Sequence, residues 1–213
     1  MIRRAFLKRL MARRDTGPLR KDERGAAALE FALIAPTVCV VLLGGFDVSH
    51  TLYTRAVLQG IVQKTARDST LETGTDPTVQ AALDANVIAQ ASALANNATI
   101  TITRRYYRDY TTAAAAQAEA WTDTNHNGTC DNGEPYQDAN LNGTWDSDGA
   151  NGGQGGAKDA TLYTVTMTFP RMFPAAAFIG GSTTTTISAA TILRNQPYSD
   201  QGSYAAPVVR NCP

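Results

Sequence analysis

The sequence predicts an α+β fold: a long N-terminal helix, a second helix and a small antiparallel sheet of about three strands. The first observation is an apolar run at residues 26–46 that continues into a segment with helical spacing. The second is an Ala-rich segment that begins after a turn signal. The third is a set of three Thr-containing stretches, in two of which apolar residues alternate with Thr. An Asp/Asn/Gly-rich insertion, residues 113–159, separates the first two strands.

Residues 1–25 are predicted to form a basic cytoplasmic leader. Residues 1–24 hold nine of the 19 basic residues and three of the 19 acidic ones, which leaves 10 basic and 16 acidic residues in the rest. A basic tip directly before an apolar segment is typical of a membrane protein whose N-terminus stays in the cytoplasm. The alternative, a nucleic-acid-binding arm, is disfavoured because the basic stretch runs straight into that segment, so no nucleic-acid partner is expected.

Residues 26–46 are predicted to form a transmembrane helix, and its length decides where that helix starts. Phe31 to Phe46 is 16 residues, or about 24 Å of helix, which falls short of the ~30 Å hydrocarbon core. Starting at Ala26 gives 21 residues and about 31 Å. The span must therefore include Glu30 near its cytoplasmic edge, and Pro36 is expected to kink it. A cleaved secretory signal is the alternative, but its apolar core is shorter.

The exported region is predicted to start with residues 47–112, which hold the rest of the first helix, the second helix and the first strand. The first helix continues to about Leu71, with Val48, Leu52, Ala56 and Ile61 at roughly helical spacing. "GTDP" then supplies an N-cap at Asp76 and a proline at the first helical position. The second helix is expected to end near residues 96–97.

Three strands are predicted, two from alternation of apolar residues with polar ones and the third from its Thr-rich composition. The first is "ATITITRRYY", and the other two are "TLYTVTMTFP" and "TTTTISAATIL", within residues 160–198. The second strand carries Leu162, Val165, Met167 and Phe169. Three such strands make a small antiparallel sheet that helices can cover. Residues 199–213 are predicted to be a C-terminal tail.

The insertion contains the motif "DTNHNGTCDNGE", Asp123–Glu134. It has Asp, Asn and Asn at positions 1, 3 and 5, Gly at 6, Asp at 9 and Glu at 12, which is the spacing of a twelve-residue calcium loop. The predicted ligands are Asp123, Asn125, Asn127, the carbonyl of Thr129, Asp131 and Glu134.

A second motif, "DANLNGTWDSDG", repeats the pattern 15 residues later. Its predicted ligands are Asp138, Asn140, Asn142, Thr144 and Asp146. Position 12 is Gly149, so Asp148 or Glu134 is the candidate for the missing carboxylate. Asn in place of Asp lowers the ligand charge, so the expected affinity for calcium is weak, about 10⁻⁴–10⁻³ M. A solvated Asn-Gly turn without metal is the alternative.

"RGAAALEFALIAP", Arg24–Pro36, resembles the start of TadE-like proteins, the pseudopilin or minor-pilin family of tight-adherence (type IVc) pilus systems. The resemblance covers residues 24–67 well and the terminal strands loosely, but not the insertion. It implies that prepilin peptidase cuts between Gly25 and Ala26 on the cytoplasmic side. Glu30 then becomes mature residue five, and its carboxylate neutralises the amine of a neighbouring subunit. The alternative for Glu30 is a side chain that reaches the lipid head groups.

The same resemblance implies a location and partners. The protein is expected to be a single-pass protein of the bacterial inner membrane, with its N-terminus in the cytoplasm and its C-terminal domain periplasmic or extracellular. Its expected partners are prepilin peptidase, other pilins and the pilus assembly platform, and its role is that of a minor subunit or priming component. The alternative function is a membrane-anchored surface or adhesion module that is neither processed nor polymerised.

The cysteines and histidines give no sign of an enzyme. Cys39 lies in the apolar segment, whereas Cys130 and Cys212 fall in the polar body, where export would permit a disulfide between them. Sequence alone does not give their separation, so the pairing stays open. His50 and His126 have no nucleophile partner in the sequence, and no phosphate loop, dinucleotide fingerprint or zinc spacing is present.

Overall fold

The computed structural model describes residues 25–71, 76–173, 177, 180–196 and 205–213. The predicted leader lies outside the described residues, apart from Gly25. The α+β fold is confirmed, and the chain divides into two units, Met1–Gly45 and Phe46–Pro213. The helices are α1 (Ala26–Ser69), α2 (Pro77–Ser92) and α3 (Tyr110–Ala115). The strands are β1 (Thr99–Tyr107), β2 (Pro135–Asp138), β3 (Asn151–Gly152), β4 (Ala160–Pro170), β5 (Thr184–Arg194) and β6 (Val208–Asn211).

The described part of the first unit, residues 25–45, is the start of α1. Its large apolar side chains are exposed on the single chain: Phe31 and Leu33 are each 72% exposed and Val41 is 68% exposed. Pro36 lies inside the helix. Among the described residues, α1 is the one helix that is long and apolar enough to cross a membrane.

In the second unit, α1 buries one face. Of the apolar residues that keep helical spacing in the sequence, Val48 and Leu52 are 57% and 61% exposed and lie outside that face. The buried positions include Thr54, Leu58 and Val62. Thr54 is tolerated there because its hydroxyl donates to the carbonyl of His50, one turn earlier, at 2.8 Å. Because this buried face includes a polar residue, a search for apolar residues at helical spacing does not identify it.

Helix α2 begins as predicted and ends earlier than predicted. Asp76 is its N-cap, and the carboxylate accepts from the N–H of Thr78 at 2.7 Å. The helix ends at Ser92 instead of near residues 96–97. Asn97 then adopts a φ of 55°, a left-handed conformation that Asn tolerates, just before β1 starts.

The main sheet has four antiparallel strands in the order β3–β1–β4–β5. One face of β4 carries Tyr163, Val165, Met167 and Phe169, which pack against α1, α2 and β5 residues in the main core. Leu162 lies on the opposite face because side chains alternate along a strand, and there it contacts a smaller cluster. The predicted three strands are therefore present, with the two-residue β3 added at the edge.

A two-stranded sheet, β2 with β6, lies outside the predicted architecture. Strand β2 belongs to the insertion and β6 to the predicted C-terminal tail, and Tyr136 pairs with Arg210. The short helix α3 was also not predicted, although Asp109 caps it through a 2.8 Å bond from the N–H of Thr112. Residues 135–138 of the insertion and residues 208–211 of the predicted tail are thus paired with each other in the second unit.

Candidate functional site

The first candidate site is the start of α1. Gly25 directly precedes the helix and Ala26 is its first residue. A side-chain carbon added at Gly25 meets nothing within 4 Å among the described residues. Glu30 is exposed one turn inside the helix, between Leu29 at 65% and Phe31 at 72% exposure. A single carboxylate therefore projects from an apolar helix surface close to the predicted cleavage point.

The second candidate site is built on a short antiparallel pairing within the insertion. Trp121 pairs with Tyr136, and two backbone bonds flank this pair. The N–H of Thr122 donates to the carbonyl of Pro135 at 2.9 Å, and the N–H of Gln137 donates to the carbonyl of Ala120 at 2.8 Å. We call residues 119–123 and 134–138 the linking ribbon. It joins the two predicted calcium loops at their ends.

The first loop is closed by its own predicted ligands. The carboxylate of Asp123 accepts from the N–H of Asn127 at 3.1 Å and from the N–H of Gly128 at 2.9 Å. Asn125 Oδ1 also accepts from the N–H of Asn127, at 3.1 Å. Asn125 Nδ2 donates to Asp131 at 2.8 Å. The side chains at positions 1, 3, 5 and 9 therefore gather on the inside of one turn.

The second loop repeats these contacts. The carboxylate of Asp138 accepts from the N–H groups of Asn142 and Gly143 at 3.1 and 2.9 Å. Asn140 Oδ1 accepts from the N–H of Asn142 at 3.0 Å, and Asn140 Nδ2 donates to Asp146 at 2.8 Å. The sequence repeat is thus also a structural repeat.

The backbone of the two loops agrees as well. The N–H groups of Thr129 and Thr144 each donate at 2.8 Å to the Asn two residues earlier. Positions 4 and 6 have positive φ in both loops: His126 59°, Leu141 63°, Gly128 78° and Gly143 80°. Gly at position 6 accommodates this conformation without strain.

Glu134, position 12 of the first loop, is buried and bridges the two ends of that loop. Its Oε1 accepts from the N–H of Thr124 at 2.7 Å, and its Oε2 accepts from the N–H of Asp131 at 3.1 Å. Only 5% of the residue is exposed. The carboxylate therefore connects the backbone N–H groups at positions 2 and 9 of the loop.

Glu119 holds the same place in the second loop. Its Oε1 accepts from the N–H of Ala139 at 2.8 Å, and its Oε2 accepts from the N–H of Asp146 at 3.1 Å. These are again positions 2 and 9. The structure does not put Asp148 there, because Arg105 holds Asp148 through an Nε bond of 2.9 Å.

The sequence analysis missed Glu119 because it lies outside the twelve-residue frame of either loop. A signal was available: Glu119 and Glu134 are 15 residues apart, the same spacing that separates Asp123 from Asp138. Extending the repeat four residues upstream of each loop would have found it.

The loops differ in their charge environment. Asp138 is fully buried and accepts from Arg210 Nε, and Arg105 contacts Asp146 at 3.3 Å. In the first loop, hydrogen bonds from the amides of Asn125 and Asn127 lower the pKa of Asp131. Burial raises the pKa of Glu119, against the lowering effect of its backbone hydrogen bonds.

The loops fit a hard cation by their donor types. Within the described residues, no group of three or more His, Cys, Asp and Glu side chains is arranged to hold a metal ion. The loop carboxylates instead accept N–H groups. Each carboxylate oxygen has two lone pairs, so the same side chains keep acceptor capacity for a cation. Carboxylate, amide and carbonyl oxygens are the ligands that Ca²⁺ prefers.

Position 8 of each loop is fastened to the rest of the unit. Cys130, in the first loop, forms a disulfide with Cys212 beside β6, with a Cα–Cα distance of 5.6 Å. Trp145, in the second loop, packs edge-on against Trp121 at 5.1 Å and donates its Nε1–H to the carbonyl of Glu119 at 3.0 Å. Cys39 is free and exposed.

The comparison with protein families matches residues 25–67 to the model of the TadE-like protein family. No curated protein and no solved structure matches the chain. The matched residues include Gly25, Ala26 and Glu30 and end within α1, before the sheet and the insertion. Residues 25–67 of this chain are therefore a TadE-like segment, as the resemblance of its N-terminal motif indicates.

Proposed function

We propose that this protein is a prepilin-like membrane protein that takes part in assembly of a tight-adherence (type IVc) pilus, as a minor subunit or priming component. The observation that carries the proposal is the exposed apolar helix of the TadE-like segment, with one carboxylate at Glu30. Its role is structural and not catalytic. The protein sits in the inner membrane with residues 1–25 in the cytoplasm, and prepilin peptidase removes them.

The mechanism is lateral packing of apolar helices with a charge that sets their register. Cleavage after Gly25 creates an ammonium group at Ala26, four residues before Glu30. The carboxylate lies near the positive end of the helix dipole, which favours it there. When helices pack, the amine of one subunit and the Glu30 of another form a pair in an apolar bundle. Any slip in register leaves both charges unpaired, which is costly in that environment.

Calcium orders the insertion in this proposal. The insertion has few apolar residues, and its loops are held by side-chain hydrogen bonds to backbone N–H groups. A cation adds strong bonds to carboxylates that otherwise repel one another. Limited proteolysis of the full-length protein tests this: millimolar calcium should protect residues 123–148, and Asp123→Ala and Asp138→Ala should weaken protection. Cleavage that is indifferent to calcium would contradict it.

The test of processing is substitution at the cleavage point. Gly25→Leu should block removal of the leader, because a bulky side chain replaces the open glycine before the scissile bond. The fold should survive, since an added carbon at Gly25 meets nothing within 4 Å among the described residues. Gly60→Leu is the matched control, because Gly60 lies further along the helix that Gly25 precedes and is equally open. The readout is protein size on immunoblots of cells that express the pilus system.

The alternative function, a membrane-anchored surface module, makes the opposite prediction for this experiment. If wild type and Gly25→Leu have the same size and both keep the leader, the anchor is permanent. The protein would then present its insertion at the cell surface without entering a filament.

A further inference from the structure

We propose that the insertion binds two cations, one in each loop, and that Glu119 supplies to the second loop the carboxylate that position 12 of that loop lacks. This inference rests on the proposed calcium role of the insertion and adds to it a second complete site and its ligand. The two loops would then exchange glutamates, because each glutamate lies four residues before the loop that it does not close.

The linking ribbon gives the two sites a common frame. With Trp121 opposite Tyr136, the antiparallel register puts Glu119 opposite Asp138 and Asp123 opposite Glu134. Each end of the ribbon therefore carries one Glu and one Asp across from each other. Asp123 and Glu134 are predicted ligands of the first loop, and Asp138 is the first predicted ligand of the second loop, where Glu119 takes the place of Glu134.

The end of the ribbon at the second loop concentrates buried negative charge. Glu119 is 4% exposed and Asp138 is fully buried. Like charges directly opposite each other in a strand pair repel, and a buried charge is costly unless a counter-charge is near. Arg210 reaches only Asp138, and the ion pairs of the described residues include no cation for Glu119. A bound cation between the two carboxylates would supply the missing positive charge.

Tyr136 is an independent sign of a ligand at this place. It is 1% exposed, and its hydroxyl has no hydrogen-bond partner among the described residues. Tyr136 and Asp138 are alternate residues of β2 and both are buried, so they point to the same face. Among the described residues, neither the Asp138 nor the Glu119 carboxylate accepts a hydrogen bond from this hydroxyl. A cation with its water molecules would give this buried group a partner.

Calcium stoichiometry of the full-length protein in detergent tests the inference. Equilibrium dialysis against calcium should give two ions per chain for wild type and one each for Glu119→Gln and Glu134→Gln. Affinity at the affected loop should fall at least about 10- to 100-fold. Asp76→Asn, which removes one charge outside the insertion and keeps a capping side chain, should still bind two.

Two further variants test whether a loss of calcium binding comes from a folding defect in the linking ribbon. Asn142→Ala and Asn127→Ala alter exposed positions in the second and first loop, respectively, without touching Glu119. Each should remove one ion. A retained Cys130–Cys212 disulfide, seen by a mobility shift on reduction, reports that the variants fold.

Each possible result decides the question. If Glu119→Gln binds two ions with wild-type affinity, Glu119 is not a ligand. If wild type binds one ion and Glu134→Gln binds none, then the first loop binds calcium and the proposed second site is wrong. If wild type binds no calcium, both the pair and the proposed calcium role fall, whereas processing after Gly25 is tested separately by the size of the Gly25→Leu protein.

Discussion

Among single residues of the first unit, Glu30 is the one on which the proposed function depends most. Its carboxylate stands alone on an exposed apolar helix surface within the TadE-like segment. A mid-membrane carboxylate costs about 2.5–3.5 kcal/mol on insertion scales, and less near the interface, so its presence calls for a compensating role. In the proposed assembly, pairing with a new N-terminal amine supplies that role.

We predict that Glu30→Gln is processed normally but fails to assemble. The amide keeps the size of the side chain and loses the charge that neutralises the amine of a neighbouring subunit. Glu30→Asp is the control, because it keeps the charge and should retain at least part of the assembly. Fractionation of cells into membrane and sheared-pilus fractions measures the outcome. Normal amounts of the Gln variant in its assembled form would contradict the pairing.

Asp84 carries structural weight in the second unit. It receives two bonds from the Arg104 guanidinium, at 2.7 and 2.6 Å, and one from the Tyr163 hydroxyl at 3.1 Å. The side chain of Arg104 is only 10% exposed and lies 4.8 Å from the centre of the Tyr163 ring. This contact fastens α2 to β1 and β4.

We predict that Asp84→Ala lowers the free energy of unfolding by about 3 kcal/mol, because it leaves the largely buried charge of Arg104 unpaired. Asp68→Ala, at an exposed acidic position in α1, should change it by less than about 0.5 kcal/mol. Urea unfolding in detergent measures both values. Equal stability of the two variants would show that Arg104 finds another partner.

At the scale of elements, the predictable parts were those with a regular pattern. The alternation along β4 and the Thr-rich composition of β5 located both strands to within about two residues, and Asp76 with Pro77 located the start of α2. The buried face of α1 was not predictable from apolar spacing because Thr54 belongs to it. Strands β2 and β6 have four residues each, too few to show a period.

The two loops of the candidate calcium site could be predicted from the sequence, but the contacts that other segments make with those loops could not. Position-by-position spacing identified Asp123 and Asp138 because each loop is a local structure. The place of Glu119 depends on the pairing of Trp121 with Tyr136, which a pattern confined to twelve residues does not contain. Contacts between segments that are distant in sequence require the fold.

The disulfide gives a prediction at the same scale. Reduction of Cys130–Cys212, which closes a separation of 82 residues, should lower the free energy of unfolding by about 2–4 kcal/mol. The first loop should lose more calcium affinity than the second, because Cys130 lies within it. Cys130→Ser/Cys212→Ser tests this by calcium titration, with Cys39→Ser as the control for a free cysteine. Unchanged affinity at the first loop would show that the disulfide and the metal act independently.

At the scale of the whole molecule, the chain combines two kinds of chemistry. The first unit offers an exposed apolar helix for a membrane or for other helices. The second unit has its own core, formed by α1, α2 and the main sheet. It also carries the two predicted calcium loops and the C-terminal strand β6, which the Cys130–Cys212 disulfide connects to the first loop. A subunit of an assembly needs both: a segment that joins the filament and a stable exported body.

In the proposed function, the leader is removed and Glu30 thereby acquires a charged partner. The most direct measurement is the intact mass and N-terminal sequence of the protein isolated from cells that contain prepilin peptidase. We predict a mature chain that begins at Ala26. A chain that still carries residues upstream of Gly25 in those cells would contradict it.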